Sequence, residues 1–435
     1  MKKLIDKVKT NKTAIIVYVV TVIVSALLLY AGNRYVYDRE SMFQGGYDDG
    51  ACSARVTEII SSRSDDVVVD NTVIGKEFIV IFDCEILSGE HKGETVMASE
   101  SGTPYDTVPL EKVKVGDRIL LTRHEDENAA IEWLMYEYDR TAPLWVLGIA
   151  FCVVVLLFGK FKGVNTLISL GYTCVAVFAV FVPSVLSGKN IYLWSIITCI
   201  YIIIMTLLII DGLHKKTLAA IIGCSSGVIV SGLLTLLASH FLHLTGITTE
   251  DTIYIKQSFN IDLNALIFAG IILGSVGAVM DVSVSISSSL AELHDKVEHP
   301  TYKGLLGSGI TIGRDIMGTM ANTLVLAYIG CELSATLLSA VYSSSMRTLF
   351  SREKIVEEML QALVGSIGLL LTIPLTAAVS AALYMGVDKF SPAAIRARRE
   401  AKGKHDRYYV EPSEEPSLFE TSGEAKDDRE KTDGE

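Results

Sequence analysis

Long apolar runs constrain this chain more than any other feature. Runs at 14–31, 144–158, 164–186, 191–210, 217–238, 263–280, within 304–341 and at 360–387 are long enough to cross a hydrocarbon core of about 30 Å. Half of the 435 residues are hydrophobic and the mean hydropathy is +0.40, more apolar surface than a soluble domain of this size needs. The expected fold class is therefore an α-helical multi-pass membrane protein of about eight transmembrane helices. A small all-β, OB-like extracytoplasmic domain is expected between the first two. Residues 1–32 would hold a basic N-terminus and the first helix, 33–141 the β-rich domain, 142–388 a seven-helix transmembrane domain, and 389–435 a basic-then-acidic tail.

Lys and Arg near the spans set the orientation. One set of flanks holds Lys2, Lys3, Lys7, Lys9 and Lys12, then Lys160, Lys162, Lys215, Lys216, Lys296, Lys303 and Arg314, and finally Arg396, Arg398, Arg399, Lys402 and Lys404. The alternate loops hold Lys189, Lys256, Arg347, Arg352 and Lys354. The imbalance places both termini in the cytoplasm, although the last outer loop is more basic than the rule prefers. The first run follows a basic segment as a signal peptide would, but it is long and lacks a small-x-small cleavage site, which favours an uncleaved anchor. After Val410 ten acidic residues stand against three basic ones; a tail of that composition is expected to be disordered.

Between the first two spans the pattern is strand. Segments 54–60, 67–69, 77–87, 95–99 and 118–122 are rich in Val, Ile and Phe and separated by Gly, Ser, Asp and Asn, which suggests a small, partly closed five-stranded barrel. On the outer, oxidising side Cys52 and Cys84 are candidates for a disulfide, whose loop of about 33 residues would be worth roughly 3–4 kcal/mol. The alternative is two unrelated small apolar residues. The other cysteines fall in or beside apolar runs and read as packing residues.

Enzyme chemistry is not expected. His240 and His243, with Glu250 and Asp251 nearby, form a weak metal pattern, as do His294, Asp295 and His299 in a polar loop. The sequence has no phosphate-cradling Gly-Lys-Ser/Thr loop, nucleophile elbow or HExxH helix, so an ATP-driven pump carried by this chain alone is not expected. Neither a cofactor nor a nucleic-acid partner is indicated.

Polar residues on two apolar stretches are more suggestive. In 270–292, Gly270, Gly274, Gly277, Asp281, Ser285, Ser288 and Glu292 follow the 4-3-4 spacing of one helix face. Glycines on that face would let another helix approach closely, and the acid and serines would hydrogen-bond across the contact. In 304–330 the adjacent Arg314 and Asp315 are followed by Thr319 and Asn322, and Asp315 shares a stripe with Thr311, Thr319 and Asn322. Two registers are open. If the helices stop short, Asp281, Arg314 and Asp315 lie at a hydrated interface, the last two paired with each other. If the seventh helix spans the whole stretch, Asp315 lies near mid-membrane, where an unpaired charge is costly.

The strings GAVMDVSVSI at 277–286 and GITIGRDIMGTMANTL at 309–324 closely resemble the YibE/F-like bacterial membrane proteins. The resemblance is expected to cover the soluble domain and all following spans but not the acidic tail. It implies a multi-pass plasma-membrane protein of a bacterium and carries over no settled biochemical activity. Two function classes follow. One is a transporter or channel for a small solute or ion, with Asp281, Ser285, Arg314, Asp315, Thr319 and Asn322 lining a site between the sixth and seventh helices. The other is a non-transporting assembly or sensory subunit whose barrel binds a partner or ligand, and whose stripes join a second copy or another membrane subunit. The lack of an inverted repeat between the halves weighs against the first.

Overall fold

The computed structural model describes residues 2–36, 51–69, 72–103, 112–123, 131–259, 261–298 and 300–386. His299 and the acidic tail lie outside the described residues.

After helix α1 (Lys2–Val36), five strands form a closed barrel: β1 (Cys52–Val69), β2 (Thr72–Ile86), β3 (Thr95–Gly102), β4 (Arg118–Arg123) and β5 (Trp133–Tyr138). Their order around the barrel is β1-β2-β3-β5-β4, with β3 and β5 parallel and the other pairs antiparallel. Alternate residues turn inward, as the period of a strand requires: Ala54, Val56, Phe82, Cys84, Ile86, Ala98, Ile119 and Leu121 are buried in one core. Two expectations need correction. The segments 54–60 and 67–69 belong to one long strand, since the polar residues between them, themselves exposed, pair with β2 (Ser62 with Val80, Asp65 with Glu77). The fifth strand is Trp133–Tyr138, which closes the barrel between β3 and β4.

Cys52 and Cys84 are both free and buried. Cys84 pairs across the ladder with Val56, four residues beyond Cys52, a separation of roughly 13 Å along the strand against an upper limit of about 7 Å between Cα atoms for a bridge. Burial, with Cys52 and Asp83 nearby, pushes the Cys84 thiol up to about 12. The barrel joins the helices through Asp139, which accepts hydrogen bonds from Ser53 Oγ at 2.7 Å and from the Thr141 amide at 3.0 Å. These bonds hold its carboxyl below the usual range, the Ser53 hydroxyl foremost.

Next come α2 (Thr141–Ala176), a π-helical turn (Val177–Phe181), α3 (Val182–Leu186), α4 (Ile191–Asp211), α5 (Lys215–Leu242), α6 (Glu250–Phe259), α7 (Leu263–Lys296), α8 (Tyr302–Cys331), α9 (Leu333–Val341), α10 (Met346–Phe350) and α11 (Glu353–Met385). Caps fix several starts: Asn190 accepts from the Leu193 amide at 3.0 Å, Asp262 from the Asn264 amide at 3.0 Å, and Thr301 from the Gly304 amide at 3.1 Å. Among the described residues six helices are long and apolar enough to cross a membrane, or seven if α8 and α9, bent by 66°, count as one. The expected count of eight is not matched.

The difference arises at Lys160. The runs 144–158 and 164–186 lie on one stretch, Thr141–Leu186, interrupted by a single non-helical residue, Lys160, at φ 49 and ψ −127. There the helix bends sharply: a Cβ on Gly163 would collide with the carbonyl oxygen of Val155, eight residues earlier and about 12 Å away in a straight helix. The sixth run is also longer than expected. It continues past Met280 to Lys296, so Asp281 lies inside α7 rather than at its end.

α5, α7 and α11 pack closely, and they do so through small residues. A Cβ at Gly227 would strike Thr372 of α11, one at Gly223 would strike Thr376, and one at Gly368 would strike Ser231 of α5. Ser283 of α7 and Thr376 of α11 share a buried hydrogen bond of 3.2 Å. Other buried hydroxyls return to their own helices, Ser231 to Gly227 O at 3.1 Å and Thr372 to Gly368 O at 2.8 Å. Polar atoms can thus sit in an apolar core without losing their partners.

Candidate polar sites on the helices

α7 and α8 run antiparallel, Gly274 meeting Tyr328 at one end and Leu290 meeting Gly309 at the other. Asp281 therefore stands level with Thr319, and Ser285 with Asp315. Matching depth does not bring them together: among the described residues no hydrogen bond or ion pair links the two sets. Asp281 and Ser285 lie on the exposed side of α7 with Gly270, Gly277 and Glu292, while the buried serines of that helix are Ser275, Ser283 and Ser287. The glycine stripe expected to receive a neighbouring helix is largely open, with nothing among the described residues within 4 Å of a Cβ at Gly270 or Gly277.

On α8 only Leu305, Gly309, Gly313 and Leu324 are buried. Gly313 presses on Ile373 and Gly309 on Ala377 of α11, which turns the opposite face outward. That face carries Thr311, Asp315, Thr319 and Asn322, with Arg314 at its edge, all exposed. Thr311 and Thr319 bond within their own helix, to Gly307 O at 3.0 Å and Ile316 O at 2.9 Å. Arg314 and Asp315 do not pair with each other. They lie within about 4 Å of the midpoint of α8 along its axis, inside the helix rather than at its start.

A cavity of about 410 Å³ lies between α2, α4 and α7, one turn from Asp281. Gly277 and Met280 line it opposite Thr166, Ser169, Thr173 and Thr206, and the Ser169 hydroxyl donates to Thr206 at 3.0 Å. These hydroxyls place polar chemistry beside the α7 stripe.

A second polar cluster went unread in the sequence. Lys354, at the start of α11, lies 3.4 Å from Glu332 and 3.8 Å from Glu358, and Glu358 also accepts from Thr336 at 3.1 Å. Glu353 binds the loop after α5 through the Thr245 amide, the Thr245 hydroxyl at 2.8 Å and the Gly246 amide at 2.7 Å. The spacing of Lys354 and Glu358, four apart at a helix start, is a readable signal. Glu332 joins them only through the fold. In the loop expected to be outer, Lys354 is thus neutralised by glutamates and Arg352 donates to Tyr342 O at 2.8 Å. Among the described residues no group of three or more His, Cys, Asp or Glu side chains could hold a metal ion.

A family model described as YibE/F-like protein matches residues 147–386, more than half of the chain. The match begins inside α2, so the barrel, expected to share the resemblance, lies outside it. No curated protein and no solved structure matches the chain.

Proposed function

We propose a transport role for this chain, which belongs to the YibE/F-like family: it is a transporter or channel for a small solute or ion. It sits in a bacterial plasma membrane with both termini and the Lys160 turn on the cytoplasmic side and the OB-like barrel outside. The observation that carries this reading is the pair Arg314 and Asp315 near the middle of α8, exposed beside Thr311, Thr319 and Asn322 and with no hydrogen bond or ion pair among the described residues. A charge facing hydrocarbon at that depth costs on the order of 3 kcal/mol on insertion scales. Water, a polar solute or another protein surface must therefore meet it. Asp281 and Ser285, level with Thr319 and Asp315, extend the polar surface across to α7.

One observation favours the second reading, a non-transporting assembly or sensory subunit. Both stripes face away from the chain's own helical core, where a helix of another subunit would contact them, and the barrel would then receive the partner or ligand. The test is the full chain in liposomes, with proton, potassium and chloride flux and osmotic shrinkage in glycerol and urea compared with empty vesicles. At least one of these should exceed the background and fall to it in Asp315→Asn at equal protein incorporation. Background values for wild type across the whole panel overturn the transport reading.

A further inference from the structure

We propose that two copies of this chain pair through the exposed face of α8, each Arg314 meeting the other copy's Asp315. The inference stands on the surface of α8 alone and holds whether or not that surface carries flux.

Successive residues of an α-helix are separated by about 100° around its axis. Arg314 and Asp315 therefore project to either side of a strip between them. At the same periodicity Gly307, Thr311, Gly318 and Asn322 fall on or close to the centre of that strip. Among the described residues nothing lies within 4 Å of a Cβ at Gly307 or Gly318, so the strip is open and small enough for another backbone to come close. The opposite face is already filled by Ile373 and Ala377 of α11.

Charge then selects the occupant. A two-fold axis along the membrane normal brings two α8 helices together side by side and parallel, with equivalent residues at equal depth. Because the two charges flank the axis, the rotation sets each Arg314 opposite the partner copy's Asp315, and the central strip meets itself. Two ion pairs form, no charge is left facing hydrocarbon, and the Asn322 amides lie where they can bond across the axis. A face of one sign would need a different protein; this face, carrying one charge of each sign, is complementary to itself.

The experiment uses full-length chains with two different tags, expressed together and purified through one tag. Wild-type copies should co-purify. Arg314→Asp leaves two acids on the face and Asp315→Arg leaves two arginines, so each variant should lose self-association by about ten-fold or more. Expressed together, the two variants should regain it, because the acidic face of one complements the basic face of the other. Wild-type copies that do not co-purify, single variants that still self-associate, or a mixture that shows no recovery at normal abundance each overturn the proposal. If a variant does not accumulate, Gly318→Cys decides in the otherwise intact chain. It should give a product of twice the monomer mass on mild oxidation, beyond what the native cysteines give. Absence of that product at Gly318, Gly307 and Asn322 alike overturns the pairing.

Discussion

The hydroxyls of Ser283 on α7 and Thr376 on α11 stand 3.2 Å apart in a contact sealed from solvent. The same Thr376 lies against Gly223 of α5, so one side chain ties three helices together. Gly227→Leu should break the next α5–α11 contact, one turn away, since its Cβ alone already meets Thr372. Overpacking of this kind costs roughly 1–3 kcal/mol, and the full chain should show lower abundance and earlier thermal aggregation in detergent. Ser283→Ala, which leaves only one hydroxyl without its cross-helix partner, should cost about 1 kcal/mol. If Gly227→Leu behaves as wild type, the close α5–α11 contact is wrong.

Lys354 is held between Glu332 and Glu358, with 22% of its side chain exposed and 12% of that of Glu358. Lys354→Met strips two carboxylates of their counter-charge, and an uncompensated buried charge is strongly destabilising. Protein abundance should fall several-fold, and adding Glu358→Gln should restore part of it. Recovery of abundance in the double variant is the informative measurement; no recovery would mean that Lys354 acts through something other than this pair.

Glu100 is 1% exposed on β3 and accepts from the Val113 amide at 2.9 Å, while its other oxygen has no partner among the described residues. Burial is the main cause that raises its pKa above the usual 4.5, against the Val113 bond and Lys112, which lower it. With the folded value raised, the protonated form carries no penalty below about pH 4.5. Stability is then lost as pH rises from there through the folded value. Glu100→Gln should therefore protect β3 against hydrogen exchange at pH 7 by on the order of 1 kcal/mol more than wild type. The difference should shrink towards pH 4. Equal protection at pH 7 would show that the charge is tolerated in place.

The proposed orientation rests on the distribution of Lys and Arg, which puts the Lys160 turn in the cytoplasm. A single cysteine replacing Lys160 should react with a thiol reagent only from the cytoplasmic side, as should a reporter fused after Gly403 remain inactive for export. A reporter inserted at Gly102 should be active outside. Export activity after Gly403, or labelling of position 160 from outside, would refute the orientation.

Periodicity and hydropathy made most of the helices legible, because an apolar run of spanning length has few alternatives. They also identified which residues share a face: Asp315, Thr319 and Asn322 do lie together, and so do Asp281 and Ser285. What periodicity does not contain is the neighbour that a face meets. On α7 the glycine and acid stripe points out while Ser275, Ser283 and Ser287 point in, and that choice is made by the glycines of α5 and the threonines of α11, far away in sequence. In the barrel, the polar stretch Ser61-Ser62-Arg63-Ser64 looks like a loop but is strand: its own side chains are all exposed, so no apolar alternation marks it, and its pairing with residues 78–81 of β2 defines it. Trp133–Tyr138 was missed because its short run, with Glu137 inside, is defined by pairing with β3 and β4 rather than by its own pattern.

Asp139 carries a mechanical consequence. One of its carboxylate oxygens holds Ser53 on the first strand of the barrel and the other holds the first amide of α2. Only Asp139 and Arg140 separate the last strand from the helix. A joint so short and doubly pinned has no slack, and a twist applied to the barrel from outside is delivered to α2 as torque. The barrel is less a tethered bead than the handle of a crank, and Asp139→Ala loosens the handle without touching the shaft.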